Sequence, residues 1–252
     1  MKQNRRSETE LNVYAIPDNV ADKELKDKTV VLIDLLRATS TMLTALANGC
    51  KEVIPAAEIE EVINMSKNYE KDSYLLCGER NVQAIDGFHL SNSPLEYTSD
   101  KVSGKTLLMT TTNGTQAFKR VTDAAEVIIC SLVNVDAVAE YLAEQQNDLV
   151  FICAGTGGQF STDDVVTAGA VVHRLTDKLE NLELNDLAVV ARTLYQSSAN
   201  ELYSLLKNSA HYKKLADAGM KKDIEYCLTL NAAPVLGVYK DGVVKLADEV
   251  KS

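Results

Sequence analysis

The stretch that decides the fold is TVVLIDLLRATST, residues 29–41. Residues 29–35 form a near-continuous apolar run, which is typical of a strand buried on both faces of a parallel sheet. Residues 41–47 follow with the pattern of a helix. A buried strand that leads almost directly into a helix predicts a protein of the α/β class.

The same alternation of apolar runs and amphipathic stretches continues along the chain. Further strands are predicted at residues 53–54, 74–77, 106–109, 127–130 and 149–153, with apolar helical faces after residues 58, 134 and 164. This pattern predicts a layered α/β fold with a largely parallel sheet.

The last third of the chain has a different pattern. Residues 185–227 are predicted to be mainly helical. This region, Arg192 included, contributes either to the site or only to packing, and packing is favoured. Residues 235–239 and 243–246 predict a closing hairpin around Lys240-Asp241-Gly242. The sequence contains no linker rich in proline, glycine or serine and no internal repeat. We therefore expect a single domain over residues 1–252.

The charge balance narrows the choice of partners. The 252 residues carry a formal net charge of −10, which argues against nucleic acid, because proteins bind it mainly by neutralising phosphates with Lys and Arg. The same balance disfavours an anionic membrane surface. A small anion remains compatible, since a pocket needs only a few local cations, dipoles or a metal. The sequence leaves the oligomeric state open, a homo-oligomer included.

Termini and cysteines indicate the compartment. The first ten residues, MKQNRRSETE, have no apolar core, and no apolar stretch has the length needed to span a bilayer. Five cysteines are present without a C-x-x-C pair, and Cys77, Cys130 and Cys153 end apolar runs. This placement favours reduced, buried thiols over disulfides, zinc ligands or a catalytic nucleophile. We expect a cytoplasmic protein.

Polar residues collect where the predicted strands end, which is where open α/β sheets bind ligands. After the first strand, Asp34 is suited to holding a metal ion or to attacking phosphorus, and the guanidinium of Arg37 matches phosphate oxygens. Thr39 or a neighbouring hydroxyl can cap the following helix, whose N-terminus favours anions. A structural ion pair between Asp34 and Arg37 is the alternative.

A second polar cluster follows the strand at residues 74–77. Glu79 and Arg80 again place an acid beside a base, and Asn92 and Ser93 add an amide and a hydroxyl before a proline. Ordinary turn residues in a surface loop are the alternative explanation. The length of the loop without regular structure favours a function.

Two glycine-containing turns complete the set. TTTNGT, residues 110–115, contains Gly114, which lets the backbone approach an anion, and Asn113, which can cap a helix. AGTGGQFSTDD, residues 154–164, contains three glycines, then Ser161 and Asp164 in the spacing of a capping box. Neither stretch is a P-loop or a dinucleotide fingerprint, and helix capping alone is the alternative for both.

Taken together, these strand ends predict a site for Mg²⁺ and an anionic ester. Mg²⁺ prefers carboxylate and water oxygens, and Asp34 and Glu79, with Asp163 or Asp164, supply carboxylates. The predicted substrate-binding residues are Arg37, Thr39, Arg80, Asn92, Ser93, Thr112, Asn113, Gly114, Thr115, Gly157, Gly158 and Ser161.

On these segments the chain resembles the 2-phosphosulfolactate phosphatase family. The resemblance rests on DLLRAT at residues 34–39, GER at 78–80, GF at 87–88 with NSP at 92–94, TTNGT at 111–115 and the segment 154–164. Three positions depart from the family pattern: Ser91 stands where glycine is expected, His89 where an acid is expected, and Asp163 where glutamate is usual.

The resemblance implies a three-layer α/β/α fold with a mixed, largely parallel sheet. It also implies Mg²⁺-dependent hydrolysis of 2-phospho-3-sulfolactate to 3-sulfolactate and phosphate, a step towards coenzyme M. In our hypothesis Mg²⁺ is held by Asp34 and by Asp164 or Glu79 and activates water. Arg37, Arg80 and the backbone at residues 113–114 and 157–158 neutralise the developing charge.

Several alternatives stay open at this point. Asp34 as a covalent nucleophile is less favoured, because the Asp-x-Asp of haloacid dehalogenase-type phosphatases has Leu36 at its second position here. The protein could instead be a phosphatase for another small organic phosphate, or a non-catalytic binder or sensor of phosphorylated or sulfonated acids. A sugar-phosphate transferase lacks support from any nucleotide fingerprint.

Overall fold

The computed structural model describes residues 8–121, 124–145 and 147–250, and of Thr115 and Gln116 it describes the backbone alone. The strands in these ranges are β1 (Thr9–Tyr14), β2 (Thr29–Ile33), β3 (Glu52–Pro55), β4 (Tyr74–Arg80), β5 (Gln83–Ala84), β6 (Thr106–Thr110), β7 (Glu126–Cys130), β8 (Leu149–Cys153), β9 (Leu182–Leu184), β10 (Gly237–Lys240) and β11 (Val243–Leu246). The helices are α1 (Ala38–Ala47), α2 (Ile59–Ser66), α3 (Ser99–Val102), α4 (Gly114–Ala117), α5 (Val135–Ala143), α6 (Thr162–Thr176), α7 (Asp186–Ser198), α8 (Leu202–Leu206), α9 (Ala210–Asp217), α10 (Lys221–Cys227) and α11 (Ala247–Val250).

Strand β2 is buried on both faces, as its apolar run predicts. Val30 and Leu32 pack in a core cluster that includes Met42 of α1, whereas Val31 and Ile33 belong to a second cluster built with α5, α6 and α7. Successive side chains of a strand point to opposite faces, so helices cover the sheet on both sides. The three-layer α/β/α prediction is confirmed.

The strands form one mixed sheet in the order β5-β4-β6-β3-β11-β10-β7-β2-β8-β1-β9. Its two parallel groups, β4-β6-β3 and β7-β2-β8-β1-β9, are joined by the antiparallel hairpin of β10 and β11. The predicted hairpin is therefore confirmed, but it lies in the middle of the sheet. Strands β1, β5 and β9 are absent from the predictions, because β5 and β9 have only two and three residues and β1 is only partly buried.

The sheet cannot be flat. Strands β2 and β6 are five steps apart in the strand order, which in a flat sheet would separate them by about 24 Å. Nevertheless, the turns that follow them touch: a Cβ placed on Gly114 would stand 2.6 Å from Oδ2 of Asp34. Twist and coiling of the sheet thus bring polar turns from both parallel groups into one place.

A close helix contact fixes the segment that follows β8. A Cβ on Gly169 of α6 would stand 2.0 Å from the carbonyl oxygen of Ala191 in α7. Glycine is therefore required for these two helices to pack at this distance. The contact fixes α6, which carries Asp163 and Asp164 in its first turn, against α7.

All five cysteines are free and buried, which includes the three for which burial was predicted, Cys77, Cys130 and Cys153. Burial raises the pKa of the thiols of Cys77, Cys130 and Cys153, so these thiols are protonated and poor nucleophiles. Within the described ranges, no helix combines the length and the apolar character needed to cross a membrane.

Candidate functional site

A pocket lies where the turns after β2 and β6 meet. Of the residues predicted from the sequence, Asp34, Arg37, Glu79, Asn92, Thr112 and Asn113 line it. His211, Lys214 and Leu215 of α9 line it as well. The other predicted residues are not part of its lining, and the side chain of Thr115 lies outside the described part of the chain.

Asp34 is a buried acid with other acidic side chains nearby. Its Oδ1 accepts a hydrogen bond from the backbone N–H of Ala38 at 3.2 Å, and its side chain is almost fully enclosed. Burial raises the pKa of Asp34 to about 6; His211 acts in the opposite direction, and the charges of Asp163 and Glu79 add to the rise. A cation at this place would relieve the repulsion among these carboxylates.

Arg37 pairs with an acid from the far end of the chain. Its Nη1 contacts Oδ2 of Asp223 in α10, and both side chains are buried. Oδ1 of Asp223 accepts a hydrogen bond from Ser93 Oγ at 2.8 Å. The ion pair between Asp34 and Arg37, which was the structural alternative, is not formed. Arg37 is held by Asp223, and Ser93 acts on the site through Asp223.

Asn92 contributes an unused acceptor. It is buried and lines the pocket, and its Oδ1 has no hydrogen-bond partner within the described ranges. The loop that carries it is tied to α1, because Thr41 Oγ1 donates to the carbonyl oxygen of Asn92 at 3.0 Å. A buried amide oxygen without a partner costs free energy, so a ligand donor or a cation is expected to satisfy it.

Glu79 organises the turn after β6. Its Oε1 accepts the N–H of Thr112 at 2.7 Å, and its Oε2 accepts the N–H of Val82 at 2.7 Å and Thr112 Oγ1 at 3.1 Å. Arg80, in contrast, points away from the pocket: its guanidinium donates to the carbonyl oxygens of Glu79 and Ala57 and to Thr110 Oγ1. Arg80 therefore stabilises the strand ends, and it is not among the residues that line the pocket.

Hydroxyl caps predicted from the sequence are replaced by longer-range contacts. Helix α1 begins at Ala38; its N-cap residue, Arg37, makes no side-chain cap, and the N–H of Ala38 donates to Asp34 Oδ1. Thr39 Oγ1 instead donates to the carbonyl oxygens of Asp34 and Cys130, which join the ends of β2 and β7. The cap prediction for Thr39 is wrong, because these buried carbonyl groups compete for its hydroxyl.

The prediction that Ser161 and Asp164 form a capping box is also wrong. Ser161 occupies the N-cap position of α6 but caps no N–H; its Oγ donates to Asp163 Oδ1. Asp164 accepts the N–H of Leu35 and the N–H of Gly155, each at 2.9 Å. Asp164 thus clamps the ends of β2 and β8 together, and burial, with the charges of Asp163 and Asp34, raises its pKa well above the usual range.

The glycine turn after β8 contacts the turn after β6. The N–H of Gly157 donates to Asn113 Oδ1 at 3.1 Å. Gly157 and Gly158 both have positive φ, at 59° and 72°, and the backbone bonds between Thr156 and Gln159 close the turn. This turn holds Asn113 at the pocket rather than lining the pocket itself.

Gly114 lies very close to Asp34 in the pocket, and this contact supplies a test. A Cβ there would stand 2.6 Å from both Asp34 Oδ2 and the Cβ of Ala38. We expect Gly114→Ala to lower the free energy of unfolding by about 1–3 kcal/mol. It should also displace the Asp34 carboxylate, so that kcat/KM for the phosphate release implied by the sequence resemblance falls by at least about a hundredfold.

Gly104→Ala is the matched control for this variant. Gly104 has open space around its Cβ position but a φ of 70°, so alanine there costs on the order of 1 kcal/mol without touching the pocket. Urea unfolding and steady-state kinetics on both variants separate the two effects. Equal activities in the two variants would show that the contact of Gly114 with Asp34 has no functional role.

His211, Lys214 and Asp223 are the residues that sequence analysis missed. The helical region after residue 185 was predicted to serve packing, which is wrong for α9 and α10. His211 Nδ1 lies 3.3 Å from Asp163 Oδ2; burial by itself would lower the pKa of His211, but the hydrogen bond and charge of Asp163 outweigh it and raise the pKa. The available clue was that His211 and Lys214 are one helical turn apart.

The metal prediction can be tested against the donors present. In the described part of the chain, no three His, Cys, Asp or Glu side chains converge as a ready-made metal cage. Mg²⁺ usually binds through one or two carboxylates, several waters and substrate phosphates, and Asp34 and Glu79 line the pocket beside the unpaired Oδ1 of Asn92. The residues fit a Mg²⁺ bound in that way.

Fold and pocket together define a three-layer α/β protein with a pocket of polar and charged side chains at the strand ends. The comparisons with known proteins make this specific. The model of the family described as 2-phosphosulpholactate phosphatase matches residues 14–242, and the chain belongs to this family. The resemblance seen in the sequence motifs is confirmed.

Curated relatives support the same assignment over nearly the whole chain. A protein of Caldanaerobacter subterraneus subsp. tengcongensis named "Probable 2-phosphosulfolactate phosphatase" is 47% identical over 239 residues, 95% of this chain and 99% of the relative. Proteins of the same name from Clostridium acetobutylicum and Clostridium tetani are 43% and 42% identical, covering 90% and 93% of this chain and 96% and 99% of the relatives.

Proposed function

We propose that the protein is a Mg²⁺-dependent phosphatase that hydrolyses 2-phospho-3-sulfolactate to 3-sulfolactate and phosphate. The observation that carries the proposal is the separation of Asp34 from Arg37 at the base of the pocket. Arg37 is paired with Asp223, so Asp34 is left as a buried carboxylate without a cation in contact within the described ranges. Burying a carboxylate without a paired cation costs free energy, which a bound cation would offset.

The chain's own residues have distinct tasks in this reaction. The guanidinium of Arg37, fixed by Asp223, would bind and neutralise the phosphoryl oxygens, whose charge grows as the ester bond breaks. Asn113 and Thr112 add polar groups held in place by Gly157 and Glu79.

His211 has its Nδ1 turned to Asp163. This orientation leaves Nε2 as the ring atom for the pocket, where it is suited to giving a proton to the departing sulfolactate oxygen.

Mg²⁺ would be held by Asp34 and Glu79, with Asp164 clamping the strand ends close by. When bound, it would polarise the phosphoryl group and activate the attacking water. The free, buried cysteines support a cytoplasmic location, and the family resemblance supports 3-sulfolactate as a precursor of coenzyme M.

Phosphate release is the direct test of this function. We expect the purified protein to release phosphate from 2-phospho-3-sulfolactate in the presence of MgCl₂, to lose activity in EDTA and to regain it when Mg²⁺ is returned. Esters such as 2-phospholactate and 3-phosphoglycerate, assayed in parallel, define the preference. Activity that survives EDTA would remove the metal from the proposal, and no release from any ester would favour a binder of small anions.

A further inference from the structure

A second anionic group of the substrate needs a cation that the strand ends do not provide. The proposed substrate carries a carboxylate and a sulfonate besides its phosphate. The chain has a net charge of −10, so its overall field repels such a molecule. Asp34 and Glu79 add negative charge to the lining of the pocket itself. A local cation is therefore required where the second anionic group binds.

Most of the cationic side chains near the pocket already have hydrogen-bond or ion-pair partners. Arg37 is paired with Asp223, and His211 is paired with Asp163. Arg80 is turned away by its hydrogen bonds to Ala57 and Thr110. None of these three has its charge free for a second anionic group once the phosphate is bound.

Lys214 is different. It lines the pocket from α9, its side chain is exposed to solvent, and within the described ranges it has no carboxylate partner. It lies three residues after His211, and residues at this spacing stand on the same side of a helix. The ammonium of Lys214 can therefore face a ligand whose phosphate lies beside Arg37 and whose leaving oxygen lies near His211.

We infer that Lys214 determines specificity by binding the second anionic group, the sulfonate or the carboxylate, of the organic phosphate. This inference rests on the proposed function and names the substrate group that a residue of α9 binds. The contact is a charge-assisted hydrogen bond from the ammonium to an anionic oxygen. It acts on substrate binding, so it is expected to change KM more than kcat.

The test compares Lys214→Met with Lys213→Met on three esters. Lys213 is the neighbouring residue of α9, exposed and absent from the lining of the pocket, since one residue along a helix turns by about 100°. The esters are 2-phospho-3-sulfolactate, 2-phospholactate, which lacks the sulfonate, and 4-nitrophenyl phosphate, which lacks both extra anionic groups.

For Lys214→Met we expect kcat/KM on 2-phospho-3-sulfolactate to fall roughly tenfold to a hundredfold, mainly through KM. Lys214→Arg is expected to restore most of the loss, and Lys213→Met to behave as wild type. A loss that is larger on phosphosulfolactate than on phospholactate assigns the contact to the sulfonate. Equal losses on these two esters, with a smaller one on 4-nitrophenyl phosphate, assign it to the carboxylate.

Two results would overturn the inference: an unchanged kcat/KM in Lys214→Met, or an equal loss on all three esters. If the wild-type protein hydrolyses none of them, the proposed function fails, and the inference is still tested by calorimetric binding of 3-sulfolactate. Weaker binding to Lys214→Met than to Lys213→Met would then support the anion contact, and equal binding would refute it.

Discussion

Replacing Asp34 by Asn is expected to lower kcat/KM for phosphate release by at least about a thousandfold, while the protein stays folded. Asparagine keeps the acceptor for the N–H of Ala38, so the turn after β2 is preserved. The negative charge that would hold Mg²⁺ is lost. Steady-state kinetics with circular dichroism on the same preparation measure both effects.

Activity should fall in Asp34→Asn, but the stability of the folded protein should stay the same or rise. Burial raises the pKa of Asp34 to about 6, above its value in an unfolded chain. As the pH rises from the pKa of an unfolded aspartate to about 6, the native state therefore loses stability relative to a variant without the charge. Near neutral pH we expect Asp34→Asn to unfold at the same or a higher temperature, with a gain on the order of 1–2 kcal/mol.

Asp18→Asn is a suitable control, because Asp18 is an exposed acid that does not line the pocket. It should leave both activity and stability unchanged. Wild-type turnover in Asp34→Asn would exclude Asp34 from the mechanism. Acid quenching of the wild-type protein during turnover, followed by a search for phosphorylated Asp34, distinguishes covalent attack by this residue from attack by water.

Replacing Asp223 by Ala is expected to lower the free energy of unfolding by about 3–5 kcal/mol, because it leaves a buried guanidinium without its partner. Arg37 has only 2% of its side chain exposed, so solvent compensates little for the loss of the carboxylate. Ser93 also loses the acceptor of its hydroxyl. Urea unfolding gives the stability change, and kcat/KM should fall as well, since Arg37 is no longer fixed.

A double variant separates the ion pair from its surroundings. Arg37→Met combined with Asp223→Leu removes both charges, and it should be more stable than Asp223→Ala while remaining inactive. Asp22→Ala breaks the exposed pair with Arg120, where 73% of the Asp22 side chain is accessible, and should cost less than about 1 kcal/mol. A cost for Asp223→Ala as small as this would show that Arg37 is stable without its partner.

Much of the fold was predictable because the decisive interactions are local. The alternation of apolar runs and amphipathic stretches identified β2, β4, β6, β7 and β8, since buried strands and amphipathic helices each impose their own period. Strands β1, β5 and β9 were missed, because short or partly exposed strands do not show the continuous apolar run of a buried strand. The position of the hairpin within the sheet could not be predicted from the sequence, because strand order depends on pairing between strands that are distant in the chain.

The site was predictable in its residue types and less so in their roles. Asp34, Arg37, Glu79, Asn92, Thr112 and Asn113 were expected at the ligand and do line the pocket. Arg80 and Thr39 were expected there too, but their side chains bond to backbone carbonyl groups of neighbouring strands and turns. A sequence shows that a side chain can donate, and it does not show which acceptor comes nearest.

The stretch TVVLIDLLRATST by itself determined a buried strand, a polar turn and a helix, because a strand-to-helix unit is specified by residues that are neighbours in the chain. Only the tertiary structure decided that Arg37 pairs with Asp223, 186 residues away, and that α9 brings His211 and Lys214 to the same pocket. Electrostatic pairing depends on distance in space and on burial, and both are set only when the sheet has coiled and the C-terminal helices have packed against it.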